Sequence, residues 1–443
     1  MFFHGTMRVN GDGHLEIGGV DTVNLATNYQ TPLFVYDVAL IKERADAFKT
    51  AFEEAGVAHQ VAYASKAFSC VAMYQLAQNL GLSIDVVSGG ELHTALKAGV
   101  SPEKIHFHGN NKSKQELNMA VSEKIGCVVV DNFYELDLLE EIASARQVTV
   151  PVLLRLTPGV EAHTHEFITT GQEDSKFGFD LANGQATIGL KQALDSDHLH
   201  VLGVHSHIGS QIFETEGFVL AIEKVFNYVE QWNEAFNFKP LVLNFGGGFG
   251  IRYVEGDKPL QPKTYVNEII KETKKHVARL KIDEPEIWIE PGRSLVGDAG
   301  TTLYTIGSTK DIPNVRRYLS VDGGMSDNLR PALYDAKYEG ILANRATDIA
   351  TDEFAVAGKC CESGDMLVWD LPLPEVKHGD LLAMFCTGAY GYSMANNYNR
   401  IPRPAVVFVE NGETQLVIKR ETYDDLTRLD LPYKLKETVS FEN

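Results

Sequence analysis

One regularity dominates the sequence: from about residue 40 to residue 300, short apolar runs of β character alternate with longer helical stretches. The runs lie at 59–65 (HQVAYAS), 83–87 (SIDVV), 104–108 (KIHFH), 126–130 (GCVVV), 150–156 (VPVLLRL), 200–206 (HVLGVHS), 241–245 (LVLNF) and 286–290 (EIWIE). Between them, the patterns at 69–80, 90–98, 114–123, 133–145, 216–235 and 264–280 predict helices. Such alternation builds βα units on a parallel sheet. Eight strands favour a closed (β/α)8 barrel. An open doubly wound sheet should carry a glycine turn after its first strand, but here that strand ends in Ser65-Lys66-Ala67-Phe68-Ser69.

Beyond residue 300 the character changes. β-type segments at 301–306, 316–321, 353–357, 364–369, 380–386, 405–409 and 415–419 are separated by Gly, Asp and Pro turns. A segment at 14–36, ending in the apolar LFVY, also reads as β. A chain of 443 residues exceeds what one hydrophobic core usually serves. We therefore expect a barrel over 38–299, and a mainly β, Greek-key-like unit from 1–37 and 300–443.

Forty basic against sixty acidic residues leave a net charge of −20, which disfavours nucleic acid and reads as solubility. No apolar run approaches the roughly 20 residues of a membrane helix, and the first ten residues lack the apolar stretch of a signal peptide. Five cysteines form no CxxC pair and no metal-ligand spacing. The expectation is a cytoplasmic protein without a metal, a disulfide scaffold, a membrane or a nucleic-acid partner.

In barrels of this type the chemistry sits at the carboxyl ends of the strands. Lys66 follows the first run, Asp85 and Ser88 close the second, and His108 closes the third. The fourth offers only Asp131 and Asn132, and Arg155 closes the fifth. His205, His207 and Ser210 follow the sixth, Gly246-Gly247-Gly248 the seventh, and Glu290-Pro291-Gly292-Arg293 the eighth. Singly, each has an ordinary reading: a solvated lysine, a tight glycine turn, a satisfied core histidine, a Pro-Gly turn. Their common placement at one end of the strands points to a site.

Eight segments, in order, resemble the diaminopimelate decarboxylase family, pyridoxal-phosphate enzymes built on an alanine-racemase-type barrel. They are YASKAFS (63–69), FHGNNKS (107–113), HSHIGSQI (205–212), GGGFGIRY (246–253), EPGRSLVGDAG (290–300), VDGGMSDNLRPALY (321–334), CESGD (361–365) and GAYGYSMANNYNRIPRP (388–404). Two small departures are Phe68, where many relatives have Asn, and Gly323, where Ala is common.

The resemblance implies a role for each matching residue. Lys66 would hold the aldehyde of pyridoxal 5'-phosphate. The Gly246–Gly248 turn, Gly292, Arg293, Ser210 and Tyr390 would cradle the phosphate. Glu290 would face the pyridine nitrogen, and His207 would stack on the ring with Asp85 orienting it. Cys361 would be the acid that reprotonates the α-carbon. Arg293, Arg330, Tyr334, Tyr390 and Glu362 would read the far ammonium and carboxylate of meso-diaminopimelate. Cys70, Cys127 and Cys386 are expected to be structural.

The family further implies a homodimer in which CESGD serves the partner's site. Decarboxylases of the same fold acting on ornithine, arginine or carboxynorspermidine are the alternative; those of the polyamine pathway carry C-D-x-x-D where this chain has Cys361-Glu362-Ser363-Gly364-Asp365. A racemase would give Cys361 no task, and a cofactor-carrying homeostasis protein would lack the second unit. The stretch 160–176 (VEAHTHEFITTGQEDSK) is expected to be a surface loop rather than a metal site.

Overall fold

The computed structural model describes residues 2–160 and 175–433. Eight parallel strands close on themselves: β2 (His59–Ala64), β3 (Ser83–Val86), β4 (Ile105–Phe107), β5 (Cys127–Val130), β6 (Val150–Thr157), β7 (Leu199–Ser206), β8 (Val242–Asn244) and β9 (Glu286–Ile289). Closure is made where β9 meets β2, with Ile289 opposite Val61, and where β5 meets β6, with Val130 opposite Leu154. All eight strands fall on the expected runs. Such strands have no solvated face, so sequences such as CVVV are apolar throughout and buried at every position. A small patch of Cys127, Val129, Leu153, Val242 and Trp288 fills the barrel interior, and His106 stacks on Trp288 at 4.3 Å.

The helices cover the barrel. Six match the expected stretches: α2 (Val71–Asn79), α3 (Gly89–Lys97), α4 (Lys114–Glu123), α5 (Phe133–Arg146), α7 (Glu216–Phe236) and α8 (Pro262–Leu280). Several start on side-chain caps, which satisfy amides the helix cannot. Ser88 accepts from Glu91 N–H and Asn132 from Glu135 N–H, so both strand-end residues serve their helices rather than the site. Ser113 and Glu116 form a reciprocal capping box. Cys70 caps α2, which agrees with a structural thiol.

Two barrel helices were not anticipated, α1 (Val38–Ala55) and α6 (Gln185–Leu194). The second follows Gly184 and has no side-chain cap, so its start carries no sequence signal. The segment 14–36 is also only partly β. After short strands at Leu15–Ile17 and Val20–Asp21, Asp21 accepts from Val23 N–H and starts a helix over Thr22–Tyr29. The chain then runs into β1 (Leu33–Asp37).

The remaining strands build a second sheet around β1 and β10 (Gly300–Ile312). β1 lies between β10, antiparallel, and β16 (Ala405–Glu410), parallel. β11 (Arg316–Val321) pairs with β10 on one side and with β13 (Asp352–Ala357), in parallel, on the other. β14 (Met366–Leu373) continues the sheet from β13, and β17 (Glu413–Ile418) continues it from β16. β15 (Leu381–Met384) pairs antiparallel with β10, and β12 (Gly340–Leu342) pairs antiparallel with β15. Buried apolar side chains of this sheet form a core of their own, separate from the barrel's. Two short helices matter for the site: α9 (Arg293–Val296) just after β9, and α10 (Arg330–Tyr334) after β11.

Candidate active site

β2 ends in a single tight turn, Ser65–Ala67, which turns Lys66 outward while its neighbours stay buried. Lys66 opens into a cavity of about 740 Å³ at the carboxyl end of the barrel. Among the described residues its amine has no hydrogen-bond or ion-pair partner. Opposite strand ends supply the rest of the wall: Asp85, His108, Arg155, His205, His207 and Glu290. The second sheet closes the cavity with Arg330, Tyr334 and Tyr390. The amide of Tyr390, at a φ of +61°, donates to Ala67 O at 2.8 Å and so ties the two units together beside Lys66.

Glu290 is the most completely held group. Asn244 Nδ2 donates to its Oε1 at 2.6 Å, His205 Nε2 lies 3.1 Å from Oε2, and His108 Nε2 lies 3.0 Å from Oε1. Burial alone would raise its pKa, but His108 and His205 beside it hold it well below the usual carboxylate range. Burial also lowers the pKa of His205, so a neutral imidazole serves as the donor. Asp85 goes the other way: burial, against the opposing pull of His108 and with the repulsion of Glu290, pushes it up to about 6. Its Oδ1 is buried without a hydrogen bond, and His108 Nε2 lies 3.8 Å away. The structure therefore sets Asp85 against His108, where the sequence placed it as the orienting group of His207.

His207 instead receives the amide of Gly247 on its Nδ1 at 3.1 Å. Its pKa is lowered well below the ordinary value by burial and by Lys66 and Arg155, which leaves the ring neutral. The glycine turn is also sharper in meaning than its sequence suggested. A Cβ on Gly247 would lie 2.1 Å from Glu290 O, and one on Gly248, at a φ of +103°, would lie 2.4 Å from Gly209 O. Glycine is required because this loop packs against the ends of β7 and β9. Gly247 and Gly248 line the cavity, together with Ser210, Gly292 and Arg293, whereas Gly246 does not.

Arg293 donates to Tyr253 Oη at 2.5 Å and to Ser210 Oγ at 3.0 Å. Arg330 donates to Tyr338 Oη at 2.7 Å. Both guanidiniums are over nine-tenths buried, yet neither has a carboxylate within 4.0 Å among the described residues. Two buried cations without a counter-charge call for an anion from outside the chain.

Cys361 and Glu362 lie elsewhere. Both are exposed, and neither lines the cavity of its own chain. Their loop is nevertheless well held: Asp365 accepts the amides of Met325 at 2.6 Å and Cys360 at 2.7 Å, and Asn399 accepts that of Cys361 at 2.7 Å. Most of 160–176 falls outside the described residues.

Comparison with known proteins agrees with this geometry. Residues 38–297 match the family model described as pyridoxal-dependent decarboxylase, pyridoxal binding domain. The chain is 70% identical to a diaminopimelate decarboxylase of Halalkalibacterium halodurans, over 99% of this chain and 100% of that one. It is 66% identical to that of Bacillus subtilis, over 98% and 99%.

The chain belongs to the diaminopimelate decarboxylases.

Its backbone is similar to the crystal structure of the M. jannaschii enzyme in co-complex with L-lysine, with a TM-score of 0.89 at 37% identity, covering 97% of this chain and 98% of that one. A lysine/ornithine decarboxylase from Vibrio vulnificus, 20% identical with a TM-score of 0.74, shares the fold. This decarboxylase is thus a pyridoxal-phosphate-dependent carboxy-lyase, and its cavity suits that cofactor. An amine without a partner among the described residues, a carboxylate held in place by Asn244, His205 and His108, and a buried Asp85 Oδ1 without a hydrogen bond converge there. No helix among the described residues is long and apolar enough to cross a membrane.

Three contributors were missed as site residues in the sequence. Asn244 ends β8 and orients Glu290, and its one signal is a polar residue closing the apolar run LVLNF. Tyr253 sits inside the GIRY motif and binds Arg293. Phe177 lies 4.3 Å beneath the Arg155 guanidinium, and nothing in its neighbourhood of sequence marks it.

Proposed function

We propose that the chain decarboxylates meso-2,6-diaminopimelate to L-lysine and CO2, the last step of lysine biosynthesis. The observation that carries this reading is the pair of buried, uncompensated guanidiniums, Arg293 and Arg330, in the cavity that also holds Lys66. A carboxylate at the far end of the substrate supplies the missing charge. A substrate ending only in an ammonium or guanidinium would leave both arginines unpaired, which penalises ornithine, arginine and lysine.

In this reading Lys66 is the attachment point of the cofactor. Bound there, pyridoxal phosphate supplies a sink for the electron pair left behind when CO2 departs. Glu290 stands ready to accept a hydrogen bond from a ring nitrogen. His108, His205 and Asn244 fix its orientation and keep it ionised. His207 offers a neutral ring face. Ser210, Gly247, Gly248, Gly292 and Tyr390 would hold the phosphate, and Tyr334 would add a hydroxyl near the far end of the substrate.

Cys361 as proton donor and Glu362 as partner of the distal ammonium act in the site of a second copy. Their exposure and their absence from the cavity of their own chain support a homodimer with shared sites. We divide the chain into a cofactor-binding barrel, 38–299, and a β-rich unit of 1–37 with 300–443. A cytoplasmic location accords with five unpaired thiols.

A CO2-release assay on diaminopimelate, ornithine, arginine and lysine, with and without added pyridoxal phosphate, tests the reading. Release is expected from diaminopimelate alone and only with cofactor. Turnover of ornithine without turnover of diaminopimelate would overturn it in favour of a related basic amino-acid decarboxylase.

A further inference from the structure

Two buried cations on different elements repel each other unless something fixes them in register. Arg293 comes from α9 on the barrel and Arg330 from α10 on the β-rich unit. One side chain touches both. The Tyr253 hydroxyl accepts from Arg293 Nη1 at 2.5 Å, and the Tyr253 ring lies 5.1 Å beneath the Arg330 guanidinium carbon. Cation–π attraction of this kind holds a guanidinium over an aromatic face. Tyr253 is itself buried and packs edge-on to Tyr338, at 5.7 Å and 81°, while Tyr338 Oη receives Arg330 Nη1. Asp257 anchors the backbone beneath it by accepting the amides of Tyr253 and Val254 at 2.9 and 3.1 Å.

We infer that Tyr253 is a specificity-positioning residue that joins Arg293 and Arg330 into one receptor for the distal carboxylate of the substrate. This rests on the substrate reading given above and adds a residue to it. Tyr253 provides two different contacts, hydroxyl to one arginine and ring face to the other, so the two forks keep a fixed spacing before any ligand arrives. Preorganisation of that kind shows up in binding of the carboxylate rather than in the bond-breaking step.

The test uses the full-length holoenzyme with Tyr253→Phe, which deletes the hydroxyl and keeps the ring. Loss of a charge-assisted bond should raise KM for diaminopimelate about tenfold and change kcat by less than about threefold. L-lysine keeps the distal carboxylate, and its binding, measured by calorimetry, should weaken by a similar factor. Binding of 1,5-diaminopentane, which has no carboxylate, should stay the same, as should affinity for pyridoxal phosphate measured by absorbance on reconstitution. If Tyr253→Phe is not recovered as folded protein, Tyr338→Phe releases Arg330 from its other side and should give the same pattern. Unchanged lysine binding in a folded variant overturns the inference. So does a parallel loss of pyridoxal-phosphate affinity, which would assign Tyr253 and Arg293 to the phosphate. Wild-type protein that ignores diaminopimelate would instead sink the substrate reading itself.

Discussion

The barrel mouth and the Cys361 loop are both ordered, but only the first is a finished site. At the barrel mouth seven of the eight strand ends contribute residues to one cavity, and the central carboxylate, Glu290, is surrounded by donors. The Cys361 loop is pinned just as firmly, yet it presents Cys361 and Glu362 to solvent. A backbone fixed this tightly around exposed groups accords with the proposed role of the loop in the site of a second copy. In the proposed reading the chemistry is divided accordingly: attachment and electronics at the barrel mouth, proton delivery from the loop.

The largest effect should come from the barrel. Lys66→Ala is expected to abolish both turnover and the absorbance of lysine-bound cofactor, while leaving the fold intact, since Lys66 is exposed and unpaired. A variant that retained that absorbance would show that another amine does the work. Cys361→Ala should keep the absorbance and lose about 10²- to 10⁴-fold in kcat, the usual scale for removing a general acid. An unchanged rate would remove Cys361 from the mechanism.

Mixing the two inactive variants then breaks or sharpens the comparison directly. If each cavity uses the loop of another copy, random hybrid dimers contain one intact pair, and activity should return to about a quarter of the wild-type level. If both residues serve the same chain, the mixture stays inactive. Size-exclusion chromatography with light scattering checks that hybrids form.

The barrel was legible because parallel strands buried on both faces write themselves as short apolar runs, and because catalytic groups follow those runs closely. Lys66, His207, Glu290 and Arg293 were found in that way, and the motif resemblance pointed to Arg330 and Tyr334. What sequence could not resolve was direction. Asp85 closes the second run and His207 follows the sixth, and only the three-dimensional packing shows that Asp85 faces His108. The sequence presents the Gly246–Gly248 triplet as one cradle, whereas all three pack closely and only Gly247 and Gly248 face the cavity. Asn244 and Tyr253 were hidden because their importance lies in touching other site residues, which leaves no periodic signal. The helix over Thr22–Tyr29 escaped because its short apolar content resembles the strands on either side, and a single capping Asp21 decides it.

The smallest effect expected concerns the support beneath the Cys361 loop, and it again sets the two regions apart. Glu290 and Asp327 are both buried carboxylates, but their neighbours drive them in opposite directions. Donors hold Glu290 down. Asp327 is pushed up to about 7 by burial first and then by the charges of Asp365 and Asp322, against its hydrogen bonds from Tyr304 and Gly324. A carboxyl whose folded pKa lies above its unfolded value binds a proton more tightly in the native state. Its contribution to stability is therefore complete below about pH 4 and is lost as pH rises through about 7. Wild-type protein should show a melting temperature lower by on the order of 5 °C at pH 8 than at pH 5.5. Asp327→Asn keeps the shape without the charge, accepting from Gly324 N–H as before, and should flatten that slope by more than half. Because Asp327 grips the segment whose Met325 amide is held by Asp365, the charged form should also loosen the Cys361 loop first. Hydrogen exchange at Cys360 and Cys361, followed across the same pH range, should rise more in wild type than in Asp327→Asn after correction for intrinsic exchange. Equal exchange and equal slopes in the two proteins would show that Asp327 is already ionised in the native state, and that its proton has no part in holding the loop.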